Sequence, residues 1–261
     1  MSPQLNLKSL EAALPSWRII YLERVDSTNR HASAHARDLS LPAVVVAEEQ
    51  SAGRGRGSNR WWSAPGGLTF SLVIRASQYQ LARREQGLLS LLTAAVLRQS
   101  LCDARIARPD QLQLKWPNDL YLNQRKVCGI LLEQAVSDTD CLVIGIGLNV
   151  NNSWNTAPED LRDRGIALCD VAGAACSRER ILIEFARLFS QLLEEPDMGR
   201  QCLVTAWRAA HLLDGKIVSL EQSGELLVGR CEGIDEDGAL LLRQVQGLCR
   251  IHSATILGWE G

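Results

Sequence analysis

Val44-Val45-Val46-Ala47 is followed by Gln50-Ser51-Ala52-Gly53-Arg54-Gly55-Arg56-Gly57-Ser58-Asn59-Arg60-Trp61-Trp62, and then by Leu68-Thr69-Phe70-Ser71-Leu72-Val73-Ile74-Arg75. The first run is short and apolar. In the last, Leu68, Phe70, Leu72 and Ile74 alternate with Thr69, Ser71 and Arg75, the period of a half-buried strand. The stretch therefore reads as strand, loop, strand. Its loop carries glycines, which let backbone N–H groups approach a ligand because no Cβ intervenes. It also carries arginines, whose planar forks suit carboxylate and phosphate oxygens. An arginine–glycine run can be a disordered nucleic-acid-binding tail, but such tails are not clamped between two strands. The loop reads as a cradle for an anionic ligand with a flat or apolar part.

Bulk properties agree with a small anionic ligand. The 261-residue chain has a formal net charge of −2, so no global basic field marks it as a nucleic-acid binder. At 46% hydrophobic and 22% charged it is composed like a globular protein with a sizeable core. Its eight cysteines are scattered without a C-x-x-C pair, several within apolar runs, and are expected to be reduced thiols acting as small hydrophobes. No run approaches the ~18 apolar residues of a membrane span, and the N-terminus lacks a signal-peptide pattern. A cytoplasmic protein without a membrane partner is expected.

Working outward, residues 17–22 predict a first strand, and Asp26, Ser27 and Thr28 offer helix N-caps before a helix reaching Arg37. His31 and His35 lack a zincin glutamate and read as surface residues. A helix rich in leucine and alanine is expected over 78–100, apolar around most of its circumference and so packed on a sheet. Leu112-Gln113-Leu114-Lys115 alternates up to Trp116-Pro117-Asn118-Asp119. A turn at 123–125 leads to Lys126-Val127-Cys128-Gly129-Ile130-Leu131-Leu132-Glu133, a hairpin. Residues 141–150 form a buried strand whose Gly145-Ile146-Gly147 lacks the third glycine of a dinucleotide fingerprint. Helices are expected over 178–193, with Ile181, Phe185, Leu188 and Leu192 on one face, and over 199–211. Beyond them, short strands at 217–220, 226–228, 239–242 and 248–251 alternate with Ser-Gly, Asp-Gly and Gln-Gly turns, which predicts a small β-barrel. The expected division is a larger domain at 1–213 and a barrel at 214–261.

Val25-Asp26-Ser27-Thr28-Asn29, the loop from Gly53 to Trp62, Lys115-Trp116-Pro117-Asn118-Asp119, Arg125-Lys126 with Gly129-Ile130-Leu131-Leu132-Glu133, and Gly145-Ile146-Gly147-Leu148-Asn149-Val150-Asn151 together resemble biotin–protein ligases. The resemblance runs from about residue 17 to the end. It implies an α/β (α+β) fold with a mixed, mostly antiparallel sheet and flanking helices, similar to class II aminoacyl-tRNA synthetases, plus a C-terminal SH3-like barrel. It implies an ATP- and Mg²⁺-dependent ligase that makes biotinyl-5′-AMP and passes biotin to a lysine of a biotin carboxyl carrier protein, as in acetyl-CoA carboxylase. Under this resemblance Ser27, Thr28 and Gln50 would hold the ureido ring, and Asn29 would also bind biotin. Gly53 and Arg54 would close over the ligand, Arg56 would retain the adenylate, and Trp61 would pack on the valeryl chain. Lys126 would be the central catalytic cation, assisted by Arg56, and would touch both substrates. Arg56, Arg60, Lys115, Asn118 and Asn149 would meet the nucleotide, and Asp119 would bind Mg²⁺.

One departure stands out: Gly57 comes a place early in the loop and Ser58-Asn59 replaces a Gly-Arg pair, which moves the third cation to Arg60. The sixteen residues before Trp17 are too few for the DNA-binding domain that some members carry, so a single-function ligase is expected. Two alternatives remain open at this point: a lipoate or octanoate ligase of the same superfamily, and a non-catalytic biotin sensor. Whether the chain forms a homodimer is also open.

Overall fold

The computed structural model describes residues 4–83 and 85–260. Seven strands form one sheet: β1 (Arg18–Val25), β2 (Ala43–Gln50), β3 (Leu68–Arg75), β4 (Leu112–Lys115), β5 (Asp119–Leu122), β6 (Arg125–Gln134) and β7 (Cys141–Leu148). Their spatial order is β1-β2-β3-β7-β6-β5-β4. Only β1 and β2 run parallel; every other pairing is antiparallel. The mixed, mostly antiparallel sheet matches the expectation.

The alternation in β3 decides what lies on each face. Phe70, Leu72, Ile144 and Ile146 pack against α3 (Leu88–Asp103) and α5 (Arg178–Glu194) in the main core. On the opposite face Val45, Val73 and Val143 meet Ala32 and Ala36 at the end of α2 (Thr28–His35). That short helix covers only part of its face. Alongside it the same face carries Thr69, Ser71, Gly145, Gly147 and Gly129, which adjoin in register. Beside Leu131, which shares this face, these small residues leave room for something else, and the cavity described below opens there.

Several elements differ from the sequence reading. The expected helix over 78–100 begins later. Residues 76–79 form a 3₁₀ turn closed by Gln80 at φ +52°, and α3 starts at Leu88; residue 84 lies outside the described residues. The leader contains a helix, α1 (Leu7–Ala13), capped by the Asn6 side chain, with Leu10 and Leu14 buried. A short α4 (Leu168–Ala172) and α6 (Pro196–Ala210) complete the helices, α6 beginning on Pro196, which suits a first-turn position.

The C-terminal sheet has five strands, one more than the turns predicted: β8 (Ile217–Gln222), β9 (Glu225–Ile234), β10 (Leu240–Gln244), β11 (Gly247–Ile251) and β12 (Thr255–Glu260), in the order β11-β10-β9-β8-β12. It docks on the first domain where Trp116 Nε1 donates to the Gly238 carbonyl at 3.0 Å; within the first domain, Leu114 pairs with His211 at the end of α6. His211 packs against the Trp207 ring with neither of its buried ring nitrogens hydrogen-bonded among the described residues, and burial lowers its pKa to about 4.

Candidate active site

The arginine–glycine loop is itself a hairpin. The Trp61 N–H donates to Gly53 O, Arg54 bridges Arg60, and the Gly55 N–H donates to Asn59 O. At the tip the Asn59 backbone N–H and side-chain amide both donate to Arg56 O, around Gly57 at φ +64°. The early glycine therefore has a physical reason: a two-residue turn needs a left-handed position there. Gly53 sits buried at the neck, where a Cβ would lie 2.7 Å from the Trp61 carbonyl.

This hairpin, the bare face of the sheet and the edge of the barrel enclose a cavity of about 770 Å³. At one end lies a polar network of uncharged side chains, closed at its rim by the Glu133–Arg54 ion pair. Gln50 Oε1 accepts from the Thr28 N–H at 2.8 Å and its hydroxyl at 3.1 Å; the Ser71 hydroxyl reaches Thr28 Oγ1 at 2.8 Å and Asn29 Oδ1 at 2.7 Å. The Asn29 amide donates to Leu131 O and to Glu133, which also pairs with Arg54 at 2.9 Å. Gln50 thus caps α2 in place of Ser27, whose side chain makes no capping bond and lines the cavity. The asparagine amide fits only because residue 145 is glycine; a Cβ there would stand 2.1 Å from Asn29 Oδ1.

In the middle, the Trp61 indole lies over Gly147 and Gly129, which are register partners on β7 and β6; a Cβ on Gly147 would meet the ring at 2.4 Å. The neighbouring Trp62 turns away and packs edge-on against Trp154 at 5.1 Å.

The other end is cationic. Lys126 Nζ lies 2.6 Å from Asp119 Oδ1, a contact of charge without hydrogen-bond alignment. Lys115, only 8% exposed, points its ammonium at the Trp259 ring (5.1 Å) and the Tyr121 ring (5.8 Å). Burial lowers its pKa; Lys126 and Arg56 add to that, and Asp119 opposes it. Burial likewise raises the Tyr121 hydroxyl. Arg56 donates to the Ala254 carbonyl of the barrel. The Asn118 amide holds the Ile130 carbonyl, fixing the bend between β4 and β5.

Of the residues anticipated from sequence, Ser27, Thr28, Asn29, Gln50, Arg54, Arg56, Arg60, Trp61, Lys115, Asn118, Asp119 and Lys126 all line this cavity. Gly53 lies behind it. Asn149 lies outside the lining: it is buried, its Oδ1 accepts from the Asn152 amide at 3.0 Å, and its own Nδ2 has no partner among the described residues. Sequence reasoning missed Tyr121, the barrel residues 255–257 with Trp259, and Leu161, Asp163 and Arg164. The last three arrive because the Ile166 N–H donates to Lys126 O and Gly165 bridges Lys126. Among the described residues no group of three or more His, Cys, Asp or Glu forms a metal cage.

Comparison with known proteins bears on what this arrangement does. The family model described as biotin/lipoate A/B protein ligase matches residues 21–149, and that of the biotin protein ligase C-terminal domain matches residues 215–257. The bifunctional ligase/repressor BirA of Bacillus subtilis is 35% identical over 177 residues, covering 66% of this chain and 53% of BirA, so the chain spans about half the length of that relative. A biotin–[acetyl-CoA-carboxylase] ligase of Mycobacterium tuberculosis is 31% identical over 232 residues, covering 86% of this chain and 84% of the relative. Among solved structures, the biotin protein ligase of Aquifex aeolicus in complex with biotin and ATP superposes with a TM-score of 0.79 at 27% identity, covering 93% of this chain and 98% of that one.

Proposed function

The chain belongs to the biotin/lipoate A/B protein ligase family, and from that membership we propose that it activates biotin with ATP and transfers it to a lysine of a biotin carboxyl carrier protein. One observation carries the choice of substrate: the cavity runs from an end of uncharged hydrogen-bonding side chains, past an indole over a glycine floor, to a cationic end. Biotin has the same sequence of parts. Its ureido ring needs neutral donors and acceptors, its valeryl chain an apolar bed, and its carboxylate a cation. Lipoate lacks the ureido group and would leave the buried network around Thr28, Asn29 and Gln50 facing an apolar ring, a costly mismatch.

In the first step a biotin carboxylate oxygen attacks the α-phosphorus of ATP and the bond to pyrophosphate breaks. Two anions must approach, so cations have to offset their repulsion and follow charge into the transition state. Lys126 is the group for this role, held at the sheet by Asp119, with Lys115 and Arg56 beside it. Mg²⁺ commonly binds through one or two carboxylates plus substrate phosphates. Asp119, whose carboxylate lies in the cavity beside Lys126, would supply that carboxylate. In the second step the acceptor lysine's neutral amine attacks the acyl carbon, an amide forms and AMP leaves. Before that, Arg54, Arg56 and Trp61 exclude water from the mixed anhydride.

Incubation of the chain with biotin, MgATP and a purified carrier domain tests the reading. Biotinylation of the carrier at one lysine, read by mass, is expected; an unmodified carrier in the presence of bound biotin contradicts it and favours a sensor.

A further inference from the structure

Lys115 presents an unusual balance of charge. Its ammonium is nearly buried, yet it makes no ion pair and no hydrogen bond among the described residues, because the adjacent carboxylate, Asp119, is engaged by Lys126. A buried charge without a partner is costly. Here two aromatic faces stand in for one: Trp259 at 5.1 Å and Tyr121 at 5.8 Å, the rings set edge to face at 77° with centroids 6.2 Å apart. All three side chains line the cavity. Trp259 comes from the barrel, and its aim depends on an irregularity. Between Ile256 and Gly258 the pairing of β12 with β8 shifts by one residue, so that Trp259 lies opposite Val218. In unbroken register Gly258 would take that place and Trp259 would pair with Ile217, which is 47% exposed. Bulges commonly re-aim a side chain in this way.

We propose that Trp259, together with Tyr121, is a positioning residue that holds the Lys115 ammonium toward the nucleotide polyphosphate, so that the C-terminal barrel sets ATP affinity through a cation–π contact. The inference rests on the ligase reading above and adds a partner for Lys115. The aromatic faces attract the cation without neutralising it, leaving its N–H donors free for phosphate oxygens.

ATP affinity measured by calorimetry, alongside biotin affinity and the kcat of biotin-dependent pyrophosphate exchange, tests this. Trp259→Leu is expected to weaken ATP binding by roughly three- to thirty-fold, with kcat and biotin affinity held within about twofold. Trp259→Phe, which keeps a π-face, is expected to recover ATP affinity to within about threefold of the unaltered chain. In a Lys115→Met background, Trp259→Leu should have no further effect on ATP binding, since the contact it removes is already gone. If the Leu variant unfolds, Tyr121→Leu and the Phe variant carry the same comparison. Unchanged ATP affinity in the Leu variant, or the same loss repeated without Lys115, overturns the inference and leaves the ligase reading standing. An unaltered chain that binds neither ATP nor biotin overturns both.

Discussion

The hairpin of β5 and β6 lies inside the seven-stranded sheet, with Leu120, Leu122, Val127, Cys128 and Ile130 buried, and it carries Asp119 and Lys126. The hairpin of residues 53–61 faces it across the cavity with few apolar side chains. It is closed by three backbone contacts, and Arg54 and Arg60 lie at the surface. The first holds its charged groups by packing that no ligand has to assemble. The second holds its own by an exposed ion pair to Glu133 and a hydrogen bond to the barrel at Ala254. The difference teaches a division of labour. Groups that meet charge developing in the transition state belong on rigid elements, where reorganisation is small. Groups that admit, cover and release a ligand belong on a segment held by contacts that exchange readily.

The largest effect is expected at the rigid hairpin. Lys126→Ala should lower pyrophosphate exchange by at least about a hundredfold while the circular dichroism spectrum stays native, since the side chain is a third exposed. Normal exchange by that variant would break the comparison at its root. Next to that hairpin, β4 is bridged at Leu114 by His211, which burial holds at a folded pKa of about 4 against 6.5 ordinarily. Between those values the unfolded chain binds the extra proton, so stability is full above pH 6.5 and falls as pH drops toward 4. The integrated loss is of order 3 kcal/mol. Chemical denaturation across that range should show the slope, and His211→Leu should flatten it relative to the unaltered chain.

Gly145→Ala probes the buried network that the polar end of the cavity shares with the sheet. Its Cβ would collide with Asn29 Oδ1, and a cost of about 1–3 kcal/mol in stability is expected, together with weaker biotin binding. A variant that melts normally and binds biotin normally would show that the network is not built to fixed dimensions. At the covering hairpin, Arg56→Gly should slow adenylate formation less than Lys126→Ala does, since Lys126 remains, but release the intermediate, so that bystander lysines are labelled beside the carrier. Labelling confined to the carrier contradicts the retention role. The smallest effect is expected for Arg54→Ala. Its pair with Glu133 is 40% exposed on the arginine side, so the thermal midpoint should shift by the equivalent of less than about 1 kcal/mol.

Much of this was legible in the chain for reasons that are local. The period-two pattern of Leu68 to Arg75 gave the strand and told its core face from its polar face; the turn residues of the barrel gave its hairpins. The residues quoted around Thr28, Gln50, Lys115 and Lys126 converge in one cavity. What could not be read depends on distant parts of the chain meeting. Nothing near Trp259 in sequence indicates Lys115, which it reaches only after the barrel docks and a bulge turns it. The segment 161–164 enters the site through pairing with Lys126, and its own residues carry no motif. The three glycines at 129, 145 and 147 were visible, but their purpose was not. Those at 145 and 147 are explained by a side chain from another element, Asn29 or Trp61, lying where a Cβ would be, while at 129 a Cβ would crowd Lys126 of its own strand at 3.2 Å and the Trp61 ring at 3.3 Å. Asn149, a strand-end asparagine, is buried beside Asn152 and does not line the cavity.

The central claim is that this cavity activates biotin, and the direct measurement is ATP–pyrophosphate exchange by the purified chain with biotin, lipoate and octanoate in parallel. Exchange that depends on biotin and is absent with the other two acids is the predicted result. Exchange with lipoate or octanoate but not biotin would contradict the account and move the polar end of the cavity to a different ligand.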